Sequence, residues 1–194
     1  MPRQTAREKI ISAAQQLMVG QGYSATTVDE IVASAGVAKG SFYHAFVSKE
    51  ALALVALEDY FKRGMGVIGA GSYRQEPDPV RRLFGFLDYV NEVAGDLWQH
   101  GCLLGSITLE LADTYPSLID KVDALFLDME SSITSLFKPA LQQKGITTPT
   151  AEELARHMLV VVEGAIIMAK SHRNAGYLQE ALGHFRAYVD AVMR

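Results

Sequence analysis

Cross-linking and chelating residues are scarce in this chain. It has 194 residues and a single cysteine, Cys102, which excludes an internal disulfide framework and points to a reducing compartment. No HExxH, P-loop or GxSxG pattern occurs, and no cysteine cluster could hold a metal. The expectation is therefore a protein that is not an enzyme and needs neither cofactor nor metal. His100 lies two residues before Cys102, but no third group is in view to orient a thiol–base pair. Arg3, Arg7 and Lys9 are not followed by a continuous apolar stretch, so no secretory signal is expected. The longest strongly apolar run, Met158 to Ala169, is broken by Glu163 and Gly164 and is too short to span a bilayer. A cytoplasmic protein without membrane contacts is expected.

Core-forming material is plentiful. Hydrophobic residues make up 49% of the chain and charged residues 21%, enough for one large domain or a small one joined to a larger one. The net charge of −4 is unevenly spread. Residues 1–50 carry five Lys and Arg against four Asp and Glu; the rest carries thirteen against eighteen. A slightly basic head on an acidic body suits a protein whose head alone approaches nucleic acid.

The periodicity is helical nearly throughout, and no segment alternates as a strand would. Ile10, Ala13, Ala14, Leu17 and Met18 mark a first helix, stopped by Gly20 and Gly22. Thr27 and Glu30 form a capping box for a short helix to about Ala35, where Gly36 provides a turn. A second short helix spans about Lys39 to His44. Ser48 is an N-cap for a longer one that carries Leu52, Val55, Ala56 and Phe61 inward. Gly64, Gly66, Gly69 and Gly71 then weaken helix formation, and Pro77-Asp78-Pro79 closes a loop between head and body. The body reads as helices over about Val80–Trp98, Leu103–Ala112, Tyr115-Pro116 to Lys144-Gly145, the Thr150/Glu153 capping box to Ser171, and Leu178–Val192. The fold class is all-α.

Two short helices around a tight glycine turn have the geometry of a helix-turn-helix, whose second helix enters the major groove. Val28, Ile31, Val32, Val37 and Phe42 can pack on the first helix, which leaves Lys39, Gly40, Ser41, Tyr43 and His44 outside. Gly40 permits close backbone approach. Lys39 and Ser41 can reach phosphates or base edges, and the Tyr43 phenol suits a phosphate oxygen. Lys49, beside free N–H groups at a helix start, could bind phosphate. An ordinary solvated connector would have a similar composition.

The run from Thr26 to Phe46, TTVDEIVASAGVAKGSFYHAF, continuing through Lys49-Glu50-Ala51-Leu52, resembles the DNA-binding head of TetR-family transcriptional regulators. The likeness covers roughly residues 7–55. It implies a helix-turn-helix domain over 1–50, and a helical ligand-sensing and dimerisation domain over 51–194. The implied assembly is a homodimer joined through its last two helices on a palindromic double-stranded operator. By motif position, Thr27, Lys39, Gly40, Ser41, Tyr43, His44 and Lys49 are the implied DNA contacts. Tyr43 and Lys49 would grip phosphates, while Lys39, Ser41 and His44 would lie nearest the bases.

In the body, Gly101-Cys102-Leu103-Leu104-Gly105-Ser106 is similar to a branch of that family that includes repressors responding to electrophiles and reactive chlorine. The likeness implies Cys102 as sensor and Lys170 as a partner amine. A thiolate at a helix start can be alkylated or oxidised; Cys102 could equally be a small buried hydrophobe. In that second reading the inducer is a non-covalent apolar ligand. Trp98, Phe126, Met129, Met158 and Val162 are expected to line its pocket, since methionine adapts to varied shapes. Met158, Val161 and Ala165, with Phe185, Tyr188, Val189 and Val192, are expected to supply the dimer surface. The expected function is a repressor that a small molecule, or chemistry at Cys102, releases from its operator. An enzyme, or a helical interaction protein that ignores DNA, would be told apart by substrate turnover and by a gel shift at rising salt.

Overall fold

Three threonines start helices by the same reciprocal device. The hydroxyls of Thr5, Thr27 and Thr150 accept the N–H of Glu8, Glu30 and Glu153, whose carboxylates accept the threonine N–H in return. Each arrangement satisfies donors that a helix start otherwise leaves open. The computed structural model describes residues 4–194, so Arg3 lies outside the described residues. Within them the chain forms α1 (Ala6–Gln21), α2 (Val28–Ala35), α3 (Lys39–Ala45), α4 (Lys49–Gly69), a 3-10 turn (Ser72–Gln75), α5 (Pro79–Trp98), α6 (Leu103–Leu111), α7 (Pro116–Lys144), α8 (Ala151–His172) and α9 (Gly176–Val192). No strand occurs among the described residues, and the fold is all-α. None of these helices is long and apolar enough to cross a membrane.

Gly64 and Gly66 do not end α4, which continues to Gly69. Each glycine costs roughly 1 kcal/mol against alanine, but Phe61, Met65 and Ile68 on the same helix are half-buried, and their packing offsets that cost. The helix stops at Ala70-Gly71 instead. Asp78 then caps α5 by accepting the Arg81 N–H at 2.8 Å, with Pro79 at the first helical position, where its missing N–H is no loss.

The chain divides into two compact units. The first gathers the chain up to Arg63 together with His100–Leu125, so α6 and the start of α7 join the N-terminal helices, beyond the expected head of residues 1–50. Its interior holds Ile10, Met18, Ile31, Phe42, Leu52, Leu103 and Ile107, all fully buried. Val28 and Val37 are only half-buried. Two polar side chains, Gln15 and Thr26, enter this core. The Gln15 amide donates to the Ala56 carbonyl at 2.8 Å and to Asp59 at 2.9 Å, and its oxygen accepts from Arg63, so the buried amide is satisfied and ties α1 to α4.

The second unit comprises Gly64–Gln99 and Phe126–Arg194. Here α9 packs on α5 and α8 around Leu83, Phe137, Leu154, Met158, Leu178 and Phe185. The Arg186 guanidinium lies 5.1 Å over the Phe84 ring and pairs with Asp88. The apolar face left outside differs in part from the expected one: Tyr188 is exposed as expected, and Val161 and Val192 are half-buried. Met158, Ala165, Phe185 and Val189 are buried within the protomer, whereas Val160, Ile167, Met168 and Tyr188 are exposed. Positions 158, 162, 165 and 169 share one face of α8, which the protomer buries. Positions 160, 164 and 167 fall on the far side by the 3.6-residue period, with 168 at its edge.

Candidate functional site

The helix-turn-helix is set by its turn. Gly36 adopts a left-handed conformation (φ 62°, ψ 41°), which costs glycine nothing. Its N–H and that of Val37 return to the carbonyls of Ala33 and Val32, both at 3.1 Å, and so close the end of α2. The Phe42 ring, fully buried, fastens α3 from beneath and meets Phe46 with centroids 6.0 Å apart.

What α3 turns outward is polar. Lys39, Gly40, His44 and, from the cap of α2, Thr27 are exposed, Ser41 is half-buried, and Tyr43 is 57% exposed. A Cβ built on Gly40 would meet no heavy atom within 4 Å, so no contact inside the chain calls for glycine there. The Lys39 ammonium pairs with Asp29 at 2.7 Å, and the hydrogen bond and charge of Asp29 raise its pKa. Both groups are solvated, so the pair stabilises little by itself and can yield to a phosphate.

Lys49 is placed differently from the expected phosphate grip. Its ammonium donates to the carbonyls of Tyr23 and Thr26, both at 2.9 Å, and sits 4.2 Å over the Tyr23 ring. Burial lowers its pKa, against the attraction of Glu110 and Glu30. Across the same turn, Glu110 near the end of α6 accepts the N–H groups of Tyr23 and Ser24, both at 2.7 Å. Partial burial opposes the Glu110 charge, but those donors and Lys49 outweigh it and hold the carboxyl below its ordinary pKa. Tyr23, pushed up to about 12 chiefly by burial, packs edge-on against Tyr115 with centroids 5.1 Å apart. Gly22 has φ 92°, and a Cβ there would lie 2.7 Å from a Glu110 oxygen, so glycine is required for this approach. Sequence reasoning assigned Glu110 no role; its one signal was an acidic residue in an otherwise apolar helix.

Cys102 is the N-cap residue of α6, buried and with no capping bond from its side chain. Lys170 is exposed in the last turn of α8. Cys102 belongs to the first unit and Lys170 to the second.

The second unit contains a cavity of about 400 Å3, within the usual range for small-molecule sites. Trp98, Met129, Met158 and Val162 line it; Phe126, Cys102 and Lys170 do not. Tyr73, Phe86 and Met65 add to the apolar wall, and Arg74 and Arg82 are its only charged residues. Sequence reasoning missed Arg74 because Ser72–Gln75 reads as a loop, and Arg82 because a charged residue in the first turns of an expected helix reads as solvated. Among the described residues, no group of three or more His, Cys, Asp or Glu could hold a metal.

An N-terminal helix-turn-helix displaying solvated donors, followed by a helical body, is the arrangement of a DNA-binding transcriptional regulator. Residues 10–56 match the model of bacterial regulatory proteins of the tetR family, and residues 79–184 match the LmrA/YxaF-like transcriptional regulator C-terminal domain. The chain belongs to the TetR family. It is 28% identical to the HTH-type transcriptional repressor DhaR of Mycobacterium sp. strain GP1, over 94% of this chain and 91% of that protein. It is 27% identical to the HTH-type transcriptional repressor NemR of Escherichia coli K12, over 93% and 92%. A TetR transcriptional regulator from Chloroflexus aurantiacus superposes with a TM-score of 0.83 at 27% identity, over 95% and 94% of the two chains.

Because the folded protein depresses the Glu110 pKa, the stability this carboxylate contributes is present above the ordinary carboxyl value and lost as pH falls through the folded one. Urea denaturation between pH 7 and pH 3 should show Glu110→Gln costing about 1 kcal/mol at pH 7, the exposed carboxylate being partly screened. The deficit should shrink as pH falls through the depressed value of the folded carboxyl, below which both proteins carry a neutral group. A deficit independent of pH would contradict the carboxylate's role.

Proposed function

We propose that the protein is a homodimeric, cytoplasmic repressor that binds a palindromic operator through α3 and leaves it when the body cavity takes up a small molecule. The observation that carries the reading is the solvated row Lys39, Gly40, Ser41, Tyr43 and His44 on a helix anchored from beneath by Phe42. Lys39, Ser41 and His44 read base edges, Gly40 lets α3 approach the duplex, and Tyr43 and Thr27 hold phosphates. Lys49 acts one step back: it fixes the turn that leads into Thr27. The repressor names of DhaR and NemR support the sign of regulation.

Pairing through α8 and α9 accounts for the exposed Val160, Ile167, Met168 and Tyr188. Gly164 lies on the same face with open space above it, so a second helix can come close. A two-fold dimer sets its recognition helices one DNA turn apart, about 34–36 Å. Release then needs only a ligand that binds the non-fitting separation more tightly, by a few kcal/mol. Helix α4 has Lys49 in its first turn and Met65, Ile68 and Gly69 of the cavity wall in its last turns, a route from ligand to head.

A second reading, release by modification of Cys102 with Lys170 as its amine partner, is favoured by one feature. Cys102 occupies the N-cap position of α6, and Glu110 near the other end of α6 holds the α1–α2 turn. A bulky group at Cys102 would displace α6 and draw Glu110 off those amides.

Two outcomes test these readings. On a duplex selected by the protein from a random library, sedimentation should give two chains per duplex, and Lys39→Ala with Tyr43→Phe should weaken binding at least tenfold. Loss of the Lys39 charge should flatten the salt dependence by at most about one unit of log–log slope, since the Tyr43 phenol is uncharged. Unchanged affinity in the folded double variant would remove the assignment. Separately, Cys102→Ser should bind DNA normally and stay bound under N-ethylmaleimide. Release of the serine variant would leave Cys102 as a packing residue.

A further inference from the structure

We infer that the body cavity is built for an amphipathic carboxylate, a molecule with an apolar, partly aromatic body and one anionic end seated against Arg74 and Arg82. The inference rests on the reading of this cavity as a small-molecule site and adds the chemical class of the ligand. The wall is apolar and soft, with Met65, Met129 and Met158 among aromatic rings, and its lining contains two cations and no acid.

Those two arginines differ from most others in the chain. Arg63, Arg81, Arg156, Arg186 and Arg194 each pair with a carboxylate. Arg74 and Arg82 form no ion pair among the described residues and bond only to main-chain carbonyls. Arg82 donates from Nε to Glu76 at 2.7 Å and from Nη2 to Pro77 at 3.2 Å; Arg74 donates to Gly69 at 3.4 Å. Carbonyls orient a guanidinium without neutralising it, and most donors of both forks stay unused. The nearby acids are already engaged: Glu76 takes Arg81 at 3.1 Å and the Asp78 N–H, while Asp78 takes the Arg81 N–H and Gln143.

The cavity serines do not compete as donors. Ser132 and Ser135 give their hydroxyl hydrogens to the carbonyls of Asp128 and Ser132, at 2.9 and 2.6 Å. Charge-assisted donation to a ligand therefore falls to the guanidiniums, whose planar fork matches a carboxylate in bidentate fashion. An apolar surround strengthens that attraction relative to water. A neutral ligand of the same shape would fill the wall and leave two unneutralised cations beside it.

The chain's only tryptophan, Trp98, lines the cavity, so its emission reports occupancy directly. Titration with 5-phenylvalerate and with 5-phenyl-1-pentanol at pH 7.5 should show the acid bound at least tenfold more tightly. Arg74→Gln with Arg82→Gln should bring the two affinities within twofold by weakening the acid alone. Arg74→Gln by itself, at an exposed position, should remove part of the preference. Equal or tighter binding of the alcohol by the wild type, a preference that survives in the double variant, or no change of Trp98 emission with either compound would overturn the inference. Acid preference without release of the selected duplex would uphold the ligand class and overturn the release reading. Release by both compounds at equal affinity would do the reverse.

Discussion

Six residues, Gly22 to Thr27, join the first helix to the helix-turn-helix, and their backbone is held from both sides. Glu110 accepts N–H groups of Tyr23 and Ser24, while Lys49 donates to carbonyls of Tyr23 and Thr26. The Thr26 hydroxyl, fully buried, adds a bond to the Gly22 carbonyl at 2.6 Å. A loop of this kind would otherwise leave its polar groups to water and its conformation open. Held as it is, it delivers Thr27 to its cap, α2 follows in one direction, and α3 is set by Gly36 and Phe42. The placement of every polar group on α3 descends from that turn.

The two charged residues act as a unit although they come from different helices. Lys49 opens α4, which continues to the cavity wall; Glu110 closes α6, which starts at Cys102. Both helices therefore meet at the same turn. Arg74 and Arg82 give the cavity a polarity that its methionines and aromatics alone would not, so the fold has one polar grip at the head and another in the body, with apolar packing between residues of each unit.

Much of this was legible in the sequence where the physics is local. The Thr27/Glu30 and Thr150/Glu153 boxes, Gly36 and Asp78-Pro79 announce helix ends because a cap needs only residues three or four apart. The Thr5/Glu8 box escaped notice although its spacing is the same. Gly64 and Gly66 misled, since their intrinsic cost is overcome by packing that spacing does not disclose. The phase of α8 also misled: an apolar stripe does not say whether its own protomer or a partner covers it, and Met158 and Ala165 are buried within the protomer. Lys49 and Glu110 were opaque for a further reason. Their partners, Tyr23 to Thr26, lie 23 to 87 residues away, and only the tertiary fold brings a lysine and a glutamate onto one turn.

Amide hydrogen exchange at Tyr23 and Ser24 measures that grip directly. Slow exchange of both in the free protein, accelerated selectively by Glu110→Gln while the Phe42 amide stays protected, is the predicted result. Exchange of both amides at the rate of an unstructured peptide in the wild-type protein would mean that the turn is not held, and that the arrangement of α2 and α3 has another origin.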